Sequence, residues 1–226
     1  VTEPPPRALP ESTDLLVVGA GPAGTAAAIT AADQGLDVLV VDKAVFPRDK
    51  TCGDGLTTGA LRTLERLGLD LHDLHAYAPV HEAVLVSPGG RHALLPLPRD
   101  GQFAGVVPRR DLDAALVDLA RARGVQVDDG WTVTGVTEAD DHVEVDLGPG
   151  RAVRARWVIA ADGHYSTLRR LLAPDRAPAL GEWSAFRQYF RGVDDPRLWV
   201  LFEEDLLPGY AWVFPLPDGR ANVGFC

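Results

Sequence analysis

The sequence predicts an α/β fold in which a doubly wound βαβ module is interleaved with an antiparallel sheet. Two short apolar runs, at residues 14–18 and 38–41, flank a glycine-rich turn and an Ala-rich segment, the pattern of a strand, a helix and a second buried strand. A third apolar run at 157–160 ends on Ala161-Asp162-Gly163. Apolar and polar residues alternate across 125–147 and again across 182–226, which reads as antiparallel sheet.

Taken in order, residues 1–12 are Pro-rich and read as a flexible lead-in. The run 14–18 breaks at Gly19-Ala20-Gly21-Pro22-Ala23-Gly24, and a helix follows to about Gln34 with Gly35 as its C-cap. The second strand closes on Asp42. Residues 43–55 hold Pro47, Gly53 and Gly55 among charges, the composition of a long functional loop. A helix is predicted over about 57–67, and two or three short strands over 80–107, joined at Pro88-Gly89-Gly90. Leu112, Leu116, Leu119 and Ala120 line one face of a helix over 109–123. Residues 130–147 form a side meander, 157–160 a buried strand, and 166–172 a short helix. Strands 14–18, 38–41 and 157–160 are expected in one parallel layer. Residues 80–107 and 182–226 are expected in a second, antiparallel layer.

Composition narrows the function classes. The 226 residues are 46% hydrophobic and 24% charged, enough apolar content for a buried core. A net charge of -10 argues against a nucleic-acid partner. The uncharged stretch 15–32 fails as a membrane span because Gly19, Gly21, Gly24, Pro22, Thr25 and Thr30 interrupt it, and no signal peptide precedes it. Cys52 and Cys226 form no CxxC or Cys/His cluster, and the histidines lack ligand spacing, so no metal site is predicted and a reduced, cytoplasmic setting is the default. The Arg excess points to a GC-rich bacterial coding sequence. The absence of Met points to a processed or trimmed chain.

The glycine motif sits where dinucleotide chemistry needs it. Gly19 permits the turn off the strand, Gly21 the approach of a pyrophosphate, and Gly24 close helix packing, while the helix N-terminus presents free N–H groups to phosphate. Asp42 stands at a strand end, where a carboxylate accepts a bond from a ribose hydroxyl. Its loss is expected to weaken cofactor binding and spare the fold. This motif leaves FAD and NAD(P) open.

Ala161-Asp162-Gly163, followed by Ser166 and Arg169-Arg170, resembles the Asp-Gly motif of the aromatic-hydroxylase-type flavoprotein superfamily, in which Asp and Gly lie near the FAD pyrophosphate. The cluster Phe46-Pro47-Arg48-Asp49-Lys50-Thr51-Cys52-Gly53-Asp54-Gly55 and the segment Pro208-Gly209-Tyr210-Ala211-Trp212-Val213-Phe214-Pro215 together resemble the geranylgeranyl reductase family of FAD-dependent oxidoreductases. The resemblance runs from about residue 13 onward and implies the N-terminal portion of such an enzyme, because members carry a later Gly-Asp segment.

It implies a Rossmann-like FAD-binding module, residues 13–79 and 108–175, interleaved with an antiparallel-sheet substrate domain, 80–107 and 176–226. It also implies FAD as cofactor, held by Gly19, Gly21, Ala23, Gly24, Asp42, Arg48, Asp162 and Gly163. Cys52, Gly53 and Gly55 would approach the flavin, with Cys52 as the catalytic candidate. Arg109 would reach the phosphate or ribityl region, and the Val136 backbone the adenine. Tyr210, Trp212 and Phe214 would form an aromatic wall for an isoprenoid-type apolar substrate. Simpler readings stand beside these: Arg109 as a helix-start residue, Val136 as plain core, Cys52 as a small turn residue, Gly53 and Gly55 as positions of positive φ, and the aromatic triplet as packed sheet core.

The implied reaction is reduction of isoprenoid C=C bonds by flavin hydride transfer, with NAD(P)H or ferredoxin as electron donor and peripheral membrane contact for a lipid substrate. An FAD monooxygenase or halogenase on the same fold, and a truncated non-catalytic dinucleotide-fold module, are the alternatives.

Overall fold

The computed structural model describes residues 9–174 and 184–226. The chain runs through β1 (Ser12–Val18), α1 (Pro22–Ala32), β2 (Val38–Asp42), β3 (Gly55–Thr57) and α2 (Thr58–Leu67). Next come β4 (Ala78–Val80), β5 (Glu82–Val86), β6 (His92–Pro96), β7 (Ala104–Val106), α3 (Arg109–Ala122) and β8 (Gln126–Asp129). β9 (Gly135–Glu138), β10 (Val143–Asp146), β11 (Ala152–Ala160) and α4 (Thr167–Leu172) precede β12 (Phe186–Arg191), β13 (Leu198–Leu201), β14 (Ala211–Leu216) and β15 (Arg220–Phe225). The elements divide into two compact units, Val1–Arg48 with Asp113–Leu180 and Asp49–Leu112 with Gly181–Cys226.

The first unit carries a six-stranded sheet in the order β8-β2-β1-β11-β10-β9. β8, β2, β1 and β11 are parallel, and β10 and β9 extend the sheet antiparallel. β1 and β2 are buried on both faces, so their near-continuous Leu/Val runs need no polar alternation. Leu16, Val18, Leu39, Val41, Val145, Val153 and Leu168 form one core cluster. α1 packs on β1 and β2 through Ala28 and Ile29. Its small residues bring it close to the sheet. The helix ends at Ala32 rather than Gln34, and Gly35 takes the left-handed conformation, φ +84°, just beyond the Asp33 C-cap.

Several expectations change here. The meander at 130–147 is continuous with the parallel sheet because β11 is nine residues long and pairs with β1 on one side and β10 on the other. β8 joins the parallel layer as an additional strand. The run 157–160 is not buried: Trp157 is 64% exposed and Ile159 37%. α1 packs against β1 and β2. The lead-in of 1–12 lies partly outside the described residues. Of the rest, Ser12 is already in β1, and Leu9 packs on the core cluster.

The second unit has a six-stranded sheet, β12-β15-β14-β13-β5-β6, and a three-stranded sheet, β3-β7-β4. The larger sheet is antiparallel except that β13 runs parallel to β5. Residues 80–107 are therefore split between two sheets rather than joined in one. Residues 49–79, expected with the dinucleotide-binding module, pack in this second unit, because β3 pairs with β7 and the Thr58 hydroxyl donates to the Phe103 carbonyl at 2.6 Å. α2 is set by the Thr57 side chain, which accepts from the Ala60 N–H, and by Gly68 in the left-handed conformation at its C-cap.

Candidate functional site

In the first unit, three loops leave the carboxyl ends of adjacent parallel strands: Gly19 after β1, Asp42 at the end of β2, and Asp162 after β11. This is where parallel α/β sheets bind ligands. A Cβ on Gly19 would lie 2.3 Å from the Ala161 carbonyl oxygen, and one on Gly24 would lie 1.8 Å from that of Gly19. Both glycines are thus demanded by backbone packed against backbone. Gly19 also has φ +108°, which a side chain disfavours. Gly21 has φ −74°, an ordinary extended conformation, so the turn itself does not require glycine there. No side chain caps α1, no acidic residue stands in its first turn, and Ala23 is exposed there. The early amides are oriented for an anion.

Asp42 does more than wait for a hydroxyl. Its Oδ2 accepts from the Ala20 N–H at 2.7 Å and its Oδ1 from the Ala44 N–H at 2.8 Å. The carboxylate ties the glycine turn to the end of β2, and this makes it part of the fold. Asp162 holds the start of α4: its Oδ2 accepts from the Thr167 N–H at 2.5 Å and the Leu168 N–H at 3.2 Å, beside the Ser166 cap on Arg169. Its other oxygen, Oδ1, is buried with no hydrogen-bond partner among the described residues. An unpaired buried acceptor costs about 1–3 kcal/mol, and a hydroxyl or amide donor of a bound cofactor would offset it. The close-packed glycines, uncapped helix and orphaned oxygen fit a dinucleotide. Gly163, at φ +81°, has open space around its Cβ position.

Arg48 donates to Asp113 at 2.7 Å, and the Asp113 side chain is fully buried. The Arg48 guanidinium also lies 4.9 Å from the centre of the Phe46 ring. Val136 lies on β9, the edge strand, and its side chain packs on the core cluster.

The second unit holds Cys52, Gly53, Gly55, Arg109, Tyr210, Trp212 and Phe214. Gly53 and Gly55 do not have positive φ. It is Asp54 between them that adopts the left-handed conformation, at φ 64°. The glycines are there for space: a Cβ would lie 3.3 Å from Phe214 Cε2 at Gly53 and 2.9 Å at Gly55. The aromatic rings of 210, 212 and 214 form a ladder with centres 6.0 and 6.1 Å apart. Trp212, however, is 5% exposed. It is buried under the 53–55 turn, and its Nε1 donates to Asn222 Oδ1 at 3.0 Å, so it is not an open wall. Burial pushes the Tyr210 hydroxyl up, with smaller contributions from the neighbouring Cys226 and Cys52. Arg109 begins α3, and its backbone N–H donates to Asp54 Oδ1 at 3.2 Å.

Four residues here escaped the sequence reading: Asp54, Arg187, Tyr189 and Asn222. Asp54 Oδ2 accepts from the Tyr189 hydroxyl at 2.6 Å and from Asn222 Nδ2 at 2.7 Å. Burial raises the Asp54 carboxyl above the usual range, opposed by the bonds from Tyr189, Asn222 and the Arg109 amide and by the charge of Arg187. Burial also raises the Tyr189 hydroxyl, and its bond to Asp54 reinforces the shift. One signal was available. Asn222 interrupts an apolar strand at a position that alternation places on the inward face.

The chain matches the model of the FAD binding domain over residues 12–185. It is 38% identical over 224 residues to a menaquinone reductase of Mycolicibacterium smegmatis, covering 93% of this chain and 54% of that protein. It is 36% identical over 229 residues to digeranylgeranylglycerophospholipid reductase 2 of Methanopyrus kandleri, with 93% and 54% covered. A crystal structure of a geranylgeranyl bacteriochlorophyll reductase-like protein from Thermoplasma acidophilum superposes with a TM-score of 0.78 at 30% identity, over 95% of this chain and 56% of that one. The chain spans about half the length of the curated relatives it matches.

Proposed function

The chain belongs to the FAD binding domain family, and from that premise we propose that the whole protein is an FAD-dependent oxidoreductase that reduces C=C bonds of prenyl-type lipids. The observation that carries the reading is the meeting of the Gly19 turn, Asp42 and Asp162 at adjacent strand ends, with Asp162 Oδ1 left without a partner. Menaquinone and a digeranylgeranylglycerophospholipid are both prenyl-bearing lipids, and the relatives named for them support this substrate class.

Gly19, Gly21, Ala23 and Gly24 would cradle the pyrophosphate with backbone amides, and Asp42 would accept from the adenosine ribose while holding the turn. Asp162 and Gly163 would face the pyrophosphate and ribityl end, where the unpartnered Oδ1 would accept a hydrogen bond from a hydroxyl. Arg48 and Arg109 supply positive charge for the phosphates, and the Val136 backbone borders the adenine. FAD, if bound here in its reduced form, would supply the hydride for one alkene carbon while a proton reaches the other. Cys52, Gly53 and Gly55 shape the flavin-facing turn, and Tyr210 and Phe214 offer apolar surface to the substrate, with buried Trp212 fixing their positions. NAD(P)H and ferredoxin are the donor classes we propose. The lipid substrate suggests a cytoplasmic enzyme in peripheral membrane contact. Among the described residues no helix is long and apolar enough to cross a membrane.

The test uses the full-length protein, reduced anaerobically with dithionite and mixed with prenyl lipids of increasing chain length. Reoxidation of the flavin with formation of a saturated product is expected. Product formation that requires oxygen would replace this reading with a monooxygenase. A colourless protein that takes up no FAD would replace it with a binding module.

A further inference from the structure

We propose that Arg187, Tyr189 and Asn222 form a three-point clamp on the 49–54 turn and act as the positioning residues for Cys52. β12 and β15 are antiparallel with Tyr189 opposite Asn222 and Arg187 opposite Gly224, so all three side chains leave the same face of the sheet. Arg187 donates to both carboxylate oxygens of Asp49 at 2.5 Å, gripping the start of the turn. Asn222 Nδ2 donates to the Cys52 carbonyl at 2.9 Å, gripping its middle. The same Nδ2 and the Tyr189 hydroxyl converge on Asp54 Oδ2, gripping its end. Every one of these partners lies in the second unit.

The grip is oriented as well as present. Trp212 Nε1 donates to Asn222 Oδ1, which fixes the amide so that its Nδ2 faces the turn. The Arg187 guanidinium lies over the Tyr189 ring, 4.4 Å from its centre, so two clamp residues brace each other. Gly224 leaves the space: a Cβ there would lie 2.3 Å from Trp212 Cζ2.

Asp54 is held in the left-handed conformation, φ 64°, with its carboxylate directed at Tyr189, Asn222 and the Arg109 amide. Stability alone would not select this arrangement. A buried carboxylate opposes folding more than apolar residues of the same volume would, and the burial-raised Asp54 carboxyl is the mark of that cost. The network is therefore a device for geometry, and the residue at the centre of the turn it holds is Cys52. Its consequence for turnover rests on the reading that this turn faces the flavin. The clamp itself does not.

The test is alkylation of the full-length protein with iodoacetamide, resolved by peptide mass spectrometry, with Cys226 at the end of the same sheet as internal reference. Tyr189→Phe is expected to raise the labelling rate of Cys52 about fivefold, the factor that loss of one net hydrogen bond gives, and Arg187→Gln, which breaks the ion pair with Asp49, by at least as much, with Cys226 unchanged. Arg187→Lys keeps the cation beside Asp49 and is expected to restore the parent rate. Asn222→Leu is expected to have the largest effect, and Tyr189→Phe carries the test should that variant not fold. Unchanged Cys52 labelling in the folded variants, or Cys226 rising in step with it, would overturn the clamp. Adding FAD to the parent separates the two readings. FAD that fails to slow Cys52 labelling removes the turn from the cofactor and leaves the clamp standing.

Discussion

Replacing Asp42 with Ala tests both its tether to the glycine turn, which the structure shows, and the ribose contact we propose for it. The Ala20 residue is fully buried, and its N–H donates to Asp42 Oδ2 at 2.7 Å. Without the carboxylate that donor is left unsatisfied, at about 1–3 kcal/mol. The Ala44 N–H, bonded to Oδ1 at 2.8 Å, lies in a half-buried residue that water reaches, so its loss adds about 0.5 kcal/mol. Asp42→Ala should therefore destabilise the cofactor-free protein by about 1.5–3.5 kcal/mol, a fall in Tm of about 3–14 °C. Separately, loss of the ribose bond should weaken FAD binding about ten- to a hundredfold. Asp42→Asn offers one acceptor oxygen and turns its amide toward the other N–H, so it should fall between. Melting by circular dichroism without FAD, and fluorescence titration with it, read the two effects apart. An Asp42→Ala protein that melts within about 1 °C of the parent would refute the tethering role, and unchanged FAD affinity would refute the ribose role.

Two further outcomes follow from the geometry. Gly24→Ala places a Cβ 1.8 Å from the Gly19 carbonyl oxygen, so α1 must lift off the turn. We expect a loss of about 1–3 kcal/mol or more in urea unfolding, together with loss of bound-FAD absorbance. For Asp54, the folded carboxyl sits above its unfolded value of 3.8, so the folded state binds the proton more tightly. Stability should then fall as pH rises from about 4 through the raised value toward neutral, relative to Asp54→Asn, whose amide does not titrate. Urea midpoints of the two proteins across that range should diverge with increasing pH. Parallel curves would count against a buried, proton-retaining carboxyl.

Much of the first unit was legible in the sequence because its signals are local. The strand, glycine turn, helix and second strand over residues 14–42 follow from apolar runs and from glycines whose missing Cβ is needed within a few residues. The α3 stripe is local in the same sense. β11 was only partly legible. An apolar run signals a strand but not what covers it, and Trp157 is left exposed.

The second unit shows the opposite limit. The sequence alone determined that Tyr210, Trp212 and Phe214 share a face, since strand periodicity is a property of the backbone. It also placed Cys52 in a glycine-flanked turn. Which way that face looks, and what lies against it, depended on the tertiary structure. Asp54 meets Tyr189 and Asn222 across 135 and 168 residues of chain, through the register that sets Tyr189 opposite Asn222. No local pattern encodes such a pairing. Burial then turned Trp212, expected in an aromatic wall, into a packed support with its indole bonded to Asn222. It also turned Asp54, a residue that reads as an ordinary turn aspartate, into a buried acid held by three donors. A buried polar group must find its hydrogen bonds wherever the fold brings donors to it, and those donors are chosen by long-range packing rather than by neighbours in sequence.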